Sequence, residues 1–422
     1  MTNSGQHRSW TLNVSSWPAT AALAVAIVLA PAAVAPPAAR AQTYTVIHNF
    51  TGGIDGADPQ AGLAMDRAGN FYGTTNGGGA KDLGAVFKLK YHGSAWVLST
   101  LYSFGEVEFD GADPQGRVSI AADGTLYGTT ITGESNVGTV FHLIPGAAAP
   151  KSALAAWNET ILHKFSEQGI DGQEPQGDLL FDQSGNIYGT TFFGGGHGNG
   201  VIYELTPSSG SWTENVLYAA RNNGDGMEAR GGVISDAAGN LYGVFGYGGP
   251  DGRGAVYELS PSGSGWTEQT VYGFTGGTDG EFPFGGLIMD SAGNLYGTTS
   301  SSGSGGGGTV FELTPTNGAW TFNLLYSFSG ENYDGPLDKL VMDAASNLYG
   351  TTSGEGAFGY GSVFKLTPSN GGWTYSSLHD FSGGSDGRYP VCSLVLDASG
   401  NLYGTASAGG QYDSGTVWEV TP

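Results

Sequence analysis

Asp followed by Gly recurs at seven comparable places in the sequence: Asp55, Asp110, Asp171, Asp225, Asp279, Asp334 and Asp386. At four of them a second acid follows three residues later, as Asp58, Asp113, Glu174 and Glu228. Carboxylate oxygens gathered from several loops are what a hard cation such as Ca2+ requires, so the seven aspartates are candidate Ca2+ ligands. No EF-hand loop or dense Asp-x-Asp run accompanies them. Asp-Gly is also a common turn pair, and the turn reading takes precedence.

A second constellation lies where the sequence departs from its own pattern. His197, Arg221, Glu228, Arg230, Tyr247 and Arg253, with Phe192, Phe193 and Asp251, fall within one stretch of the chain. Aromatic rings beside Arg and acid groups suit a sugar or an anionic ligand. An imidazole among carboxylates suits acid–base work, which would make a polysaccharide-directed lyase or hydrolase the enzymatic alternative. Ordinary drift of an exposed rim is the simpler explanation and outranks both. The Gly-rich stretches, such as Gly194–Gly200 and Gly303–Gly308, lack the Gly-Lys-Ser/Thr ending of a phosphate loop. No Ser-His-Asp order, zinc spacing or Cys–His pair is recognisable, and no cofactor other than Ca2+ is suggested.

The elements that must position these residues are repeats. The phrase Gly-Asn-Leu-Tyr-Gly-Thr-Thr, or a close variant, places a tyrosine at Tyr72, Tyr127, Tyr188, Tyr242, Tyr296, Tyr349 and Tyr403, roughly 55 residues apart. The longest interval holds an Ala-rich insert, Gly146–Ala156. Each unit contains four strand-like runs, clearest in the fifth: Gly286–Asp290, Asn294–Thr299, Thr309–Leu313 and Trp320–Phe328. The later runs alternate apolar and polar residues, as half-buried strands do. Asp-x-x-Gly-Asn before the second run reads as a turn, since Gly and Asn tolerate positive φ and Asp accepts backbone N–H groups. The Gly of Tyr-Gly-Thr-Thr is expected to let a ring or strand approach closely.

Seven units of four short strands predict an all-β, seven-bladed β-propeller. The two ends support closure. The last unit stops after its third strand at Pro422, while Tyr44–Phe50 matches the fourth-strand pattern with nothing before it. The first strand is therefore expected to complete the last blade and close the ring. In such a ring the loops bearing the Asp-Gly pairs share one face with the Gly-rich loops, and the seven aspartates are expected near the channel entrance.

Composition narrows the class further. The 422 residues include 75 Gly, which excludes a helical protein, and 12% aromatics, which argues against disorder. Residues 1–41 read as a signal peptide, with an apolar run over Ala19–Ala30 and cleavage after Ala39-Arg40-Ala41, Ala33-Val34-Ala35 being the alternative site. No second apolar segment follows, so no membrane span is expected in the mature chain, residues 42–422, which form a single propeller domain. The formal net charge is −23, and the leader carries Arg8 and Arg40 but no acid, so the mature chain is more acidic still. That field repels phosphate backbones and excludes nucleic acid as a partner. The single cysteine, Cys392, stands where sister units have Gly or Ala and reads as a small core residue. A secreted monomer, extracellular or periplasmic, is expected.

Asp-x-x-Gly-Asn-Leu-Tyr-Gly-Thr-Thr, a Gly-rich loop and Gly-Thr-Val-Phe-Glu-Leu-Thr-Pro together resemble the GloVer-type tandem-repeat family of exported bacterial proteins, over residues 44–422. The Asp-x-x-Gly-Asn-x-Tyr core is more loosely similar to NHL-type and streptogramin-lyase-like propellers. The resemblance implies an exported, repeat-built protein without a defined activity. Many such proteins carry a C-terminal surface-sorting segment, and with Pro422 closing this sequence, simple secretion is expected. The reading that results is a binding module that takes a protein or carbohydrate at its loop face. The alternatives are the enzyme near blades three and four and a structural component of the cell surface or matrix.

Overall fold

The computed structural model describes residues 42–106, 110–133, 137–146, 157–168, 170–263, 265–330 and 333–421. The expected signal peptide and residues 147–156 of the Ala-rich insert lie outside the described residues. Among those described, seven antiparallel blade sheets follow one another round the ring, and a two-stranded sheet of Gly172–Gln173 with Phe193–Gly194 accompanies the third. Blade 5 is typical. Its inner strand Ile288–Met289 pairs with Leu295–Thr299, which pairs with Thr309–Thr316, which pairs with the outer strand Ala319–Ser327.

Thr309–Thr316 shows why such a sequence makes a blade. Side chains alternate between faces, and here both faces are covered. Phe311 and Leu313 pack toward blade 4, against Val256 and Phe274. Val310 packs toward blade 6, against Leu348 and Phe364. The core is thus a set of seven apolar layers between neighbouring blades. A fully buried Phe contributes about 1.5–3 kcal/mol, and each layer holds several large side chains.

The outer strand departs from simple alternation in every blade. Val310 faces Tyr326 but Phe311 faces Leu324, so Leu325 is the extra residue of a bulge. The equivalent shift occurs in the other six blades. The extra residue Leu325 is buried while Leu324 beside it is exposed, which shifts the alternation by one position.

The ring closes as the two ends predict. Thr43–Asn49 lies antiparallel to Thr416–Thr421, with Tyr44 opposite Val420 and Asn49 opposite Thr416. The first strand is therefore the outer strand of blade 7.

The repeated phrase is scaffold. Asp290 Oδ1 accepts N–H bonds from Ala292 and Asn294 at 2.8 and 2.9 Å, and Oδ2 accepts from Asn294 Nδ2 at 2.8 Å and the Tyr296 hydroxyl at 3.2 Å. Gly293 adopts φ +84° in that turn. The glycine of Tyr-Gly-Thr-Thr lies beneath a ring, since a Cβ on Gly297 would stand 2.5 Å from Phe311 Cζ. The first threonine often ties one blade to the next: Thr74 donates to the Gly116 carbonyl, Thr351 to Cys392 and Thr405 to Ala61. Cys392 is 1% exposed and packs in the blade 6–7 layer, as its small-residue position suggested.

Candidate functional site

The inner strands begin at the channel wall. At that level neighbouring backbones touch: a Cβ on Gly177 would stand 2.4 Å from Gly232 N, so glycine is required there. The residue just before this crowded layer projects into a cavity of about 310 Å³ at the channel mouth. Blades 1–3 supply Gln60, Gln115 and Gln176, and blades 5–7 supply Phe284, Leu337 and Val391. Arg230 of blade 4 stands where the polar half meets the apolar half.

Blade 4 reaches this arrangement through its departures from the repeat. Ala229 replaces the proline of the other six units and retains the N–H that proline lacks. Met227–Ala229 consequently forms an additional strand against Leu241–Tyr247. Val244-Phe245 in place of Thr-Thr accompanies a second strand that runs on to Tyr247. Tyr247 then lies 4.8 Å from Phe282 and 5.4 Å from Phe284, and Phe282 stacks on Tyr333 at 5.7 Å. Arg230 sits over Phe284 and Phe192, at 5.3 and 5.8 Å from their centroids. It makes no hydrogen bond or ion pair with any described residue, although Asp338, Tyr247 and Glu228 act on it electrostatically. Burial lowers its pKa from the usual guanidinium value and those three groups oppose the change. It remains a cation with five unused donors.

An ion cluster spans the channel at the floor of this cavity, whose lining includes Arg117, Asp178 and Asp338. Arg117 Nη2 of blade 2 and Lys339 Nζ of blade 6 both reach Asp178 Oδ2 of blade 3, at 2.7 and 3.4 Å. Burial alone would raise the Asp178 pKa, but Arg117 and Lys339 outweigh it and the net change is downward. Asp338 beside them is pushed up to about 6 by burial and by the Asp178 charge. Arg117 and Lys339 also border a second chamber of about 740 Å³ lined by Met65, Phe181, Met289 and Met342. The cluster therefore divides a polar mouth from an apolar lower channel.

The remaining residues singled out in the sequence go elsewhere. Glu228 is 9% exposed at φ +63°, its pKa raised by burial against the pull of Arg230, and its Oε2 has no hydrogen-bond partner. Arg253 pairs with Glu281 at 2.6 Å on the rim. His197 and Arg221 line an outer groove with Tyr218, Asp225, Trp266 and Glu268. His197 and Arg230 thus occupy different cavities, and the acid–base grouping expected of a site at blades three and four is not assembled.

The seven aspartates do not line the channel mouth, contrary to expectation, because six of their loops fold back on the outer strand that precedes them. None lines the mouth cavity. Asp55 accepts from His48 and the Thr51 N–H, and Asp279 from Tyr272 and the Thr275 N–H. Asp110, Asp171, Asp225 and Asp386 each bond a Tyr or His of the preceding outer strand and a nearby N–H in the same way. Asp334 lies beside Gly354 and Glu355. These are turn-capping roles.

Among the channel residues, sequence reasoning missed Arg117, Asp178, Asp338 and Lys339. Their signal was positional. In the third place after the proline equivalents stand Gly62, Arg117, Asp178, Gly232, Gly286, Lys339 and Ser393, so the charged residues are the exceptions.

The strands and the cavity define a seven-bladed β-propeller with a cavity of about 310 Å³ on the axis and an ion cluster at its floor. The chain belongs to the Gloeobacter/Verrucomicrobia repeat family, whose sequence profile matches residues 36–213, 151–343 and 287–422. No curated protein matches it. Similar solved structures include PorZ, a surface component of the type-IX secretion system of Porphyromonas gingivalis, at 14% identity and TM-score 0.50. That likeness covers 84% of this chain and 46% of PorZ, so the chain spans about half the length of that protein. A 6-phosphogluconolactonase candidate from Bacteroides uniformis is similar at 13% identity and TM-score 0.49, over 82% of this chain and 90% of the other. At such identities the likenesses concern the fold alone. No helix among the described residues is long and apolar enough to cross a membrane.

Proposed function

We propose that this chain is an exported binding module that takes an acidic sugar unit into the mouth of its channel. The observation that carries the reading is Arg230, a half-buried guanidinium that lines the cavity and whose donors make no hydrogen bond to a described residue. A carboxylate would satisfy that fork, and charge-assisted hydrogen bonds are the strong ones. Glutamine amides on one side suit ring hydroxyls. Phe284, beside Arg230 in the lining, suits the apolar face of a pyranose. Export rests on the targeting segment at residues 1–41. Binding rather than turnover is supported by the separation of His197 from Arg230.

The test is calorimetric titration of the protein with an oligogalacturonide and with the matched neutral galacto-oligosaccharide. The acidic ligand should bind at least about 10-fold more tightly, the scale of one charged hydrogen bond of ~1.5–3 kcal/mol. Arg230→Gln should abolish that preference. Equal binding of both sugars, binding of neither, or a preference that survives Arg230→Gln would overturn the reading.

A further inference from the structure

The blades meet along a joint repeated round the ring. The outer strand of one blade ends in Tyr or His, and the outer strand of the next places a side chain against it. Three joints fill this place with stacked rings: Phe322 on Tyr272 and Tyr375 on Tyr326, both at 4.6 Å, and Tyr44 on His379 at 3.6 Å. In three consecutive joints a glutamate stands there instead: Glu159 by Tyr102, Glu214 by His163 and Glu268 by Tyr218. Each faces the turn-capping aspartate of that joint, so two carboxylates meet in a part-buried place where a ring would have been neutral. Such a pair is unfavourable unless a proton or cation lies between the groups.

One of the three differs from the others. At the joint of blades 2 and 3 the partner is an imidazole, and donor atoms of His163, Asp171 and Glu214 all lie within 4.8 Å of one another. His163 Nε2 and Asp171 Oδ1 are 3.3 Å apart, close to the edge of about 3.3–3.4 Å that a tetrahedron with ~2.1 Å bonds requires. The set is already oriented. The Ser166 and Gly172 N–H groups hold the Asp171 carboxylate, and Phe165 packs edge-on against His163 at 4.6 Å. Glu214 Oε1 is buried and has no hydrogen-bond partner. The other joints are internal controls. His379–Asp386 has the imidazole and aspartate without a glutamate, and Asp110–Glu159 has both acids with Tyr102 in place of the histidine.

We infer that His163, Asp171 and Glu214 form a divalent metal site of the zinc class that clamps blade 3 to blade 2. One nitrogen and two carboxylate oxygens, with a fourth position left for water, fit Zn2+. Ca2+ would need six to eight oxygen ligands, which this joint does not offer. The site is separate from the channel mouth and independent of any sugar bound there.

The experiment strips the protein with chelator and titrates it with Zn2+, then with Co2+ for its visible absorption. Two variants borrow residues from sister joints so that folding is preserved: His163→Tyr, as in Tyr102 and Tyr218, and Glu214→Phe, as in Phe322. The expected result is one tight metal ion per chain, a melting temperature that rises with Zn2+ and falls with chelator, and a tetrahedral Co2+ spectrum. Both variants should bind roughly 100-fold more weakly or worse and lose the thermal shift. The proposal is overturned if the wild-type protein takes up no metal, which leaves a shared proton between Asp171 and Glu214. It is equally overturned if either variant binds Zn2+ as tightly as the wild type.

Discussion

Lys339 of blade 6 reaches across the channel to Asp178 of blade 3, 161 positions away in the sequence, at 3.4 Å. Arg117 of blade 2 holds the same carboxylate oxygen at 2.7 Å. Blade 6 is thereby joined at the axis to blades 2 and 3, with which it shares no layer, and the joint also forms the division between the channel mouth and the chamber below.

Removing the shared carboxylate leaves two cations facing each other inside the channel. Breaking a buried ion pair from one side costs about 3–5 kcal/mol. Asp178→Ala should therefore lower the urea midpoint markedly. Asp178→Asn keeps a hydrogen-bond acceptor and should cost less. If Asp178→Ala unfolds at the wild-type urea concentration, the cluster is not a structural tie.

The joint of blades 1 and 2 predicts a pH dependence. Glu159 is pushed up from an ordinary value of 4.5 to about 8 by burial and by Asp110, while a bond from Tyr102 opposes the change. A carboxyl whose folded pKa is raised binds its proton more tightly in the folded state. Its contribution to stability is complete below about pH 4.5 and is lost as the pH rises through about 8. Asp110 is raised as well, so its contribution changes in the same direction, and the Tyr102 hydroxyl stays protonated across that range. Chemical denaturation between pH 5 and 8.5 should show falling stability in the wild type and a flatter profile in Glu159→Gln. A variant profile that falls as steeply as the wild type would remove Glu159 as the cause.

Ring closure rests on the first strand, and Tyr44 is its main anchor. Its ring stacks on His379 at 3.6 Å and meets Phe381 edge-on at 5.7 Å. Truncating a packed aromatic typically costs about 3–5 kcal/mol. Tyr44→Ala should lower the melting temperature and expose blade 7 to limited proteolysis before the other blades. Uniform cleavage round the ring would argue that closure is distributed differently.

The seventh-part symmetry was legible in the sequence because each strand and turn has local causes. The Asp290 turn, the glycine beneath Phe311 and the strand shared between blade 7 and residues 43–49 all follow from residues that recur. Arg230 and Tyr247 were visible as departures from that recurrence, though what they face was not. Arg117, Asp178 and Lys339 were hidden for a physical reason. A channel-wall residue meets partners contributed by distant blades, and no spacing along the chain encodes which wall residues meet. The seven aspartates misled about placement because the sequence shows the turn pair but not the direction in which the loop folds. For six of them hydrogen bonds to the preceding outer strand draw the carboxylate away from the axis.

The glycine beneath Phe311 sets a steric prediction. A methyl group at Gly297 would stand 2.5 Å from Phe311 Cζ and 2.9 Å from Leu287 Cδ2. Overpacking of this kind costs about 1–3 kcal/mol. Gly297→Ala should lower the melting temperature, and adding Phe311→Leu should restore part of the loss by freeing the space above the new methyl. Strictly additive losses in the double variant would show that the ring is not what excludes the side chain.

The last prediction separates the platform from the charge at the channel mouth. Phe284 is 6% exposed and lies under the Arg230 guanidinium at 5.3 Å. Leucine preserves much of its apolar volume but offers no π face. An aromatic face is worth about 0.5–1.5 kcal/mol beyond its area burial, so Phe284→Leu should weaken binding of the oligogalacturonide and of the neutral sugar alike, by about 2- to 12-fold. The preference for the acidic over the neutral sugar should persist, because Arg230 is still present. Arg230→Gln should show the opposite pattern, losing the preference while the neutral sugar binds as before. If Phe284→Leu instead erases the preference, the ring's main role is to hold Arg230 in place rather than to meet the sugar, and the two residues act as one unit.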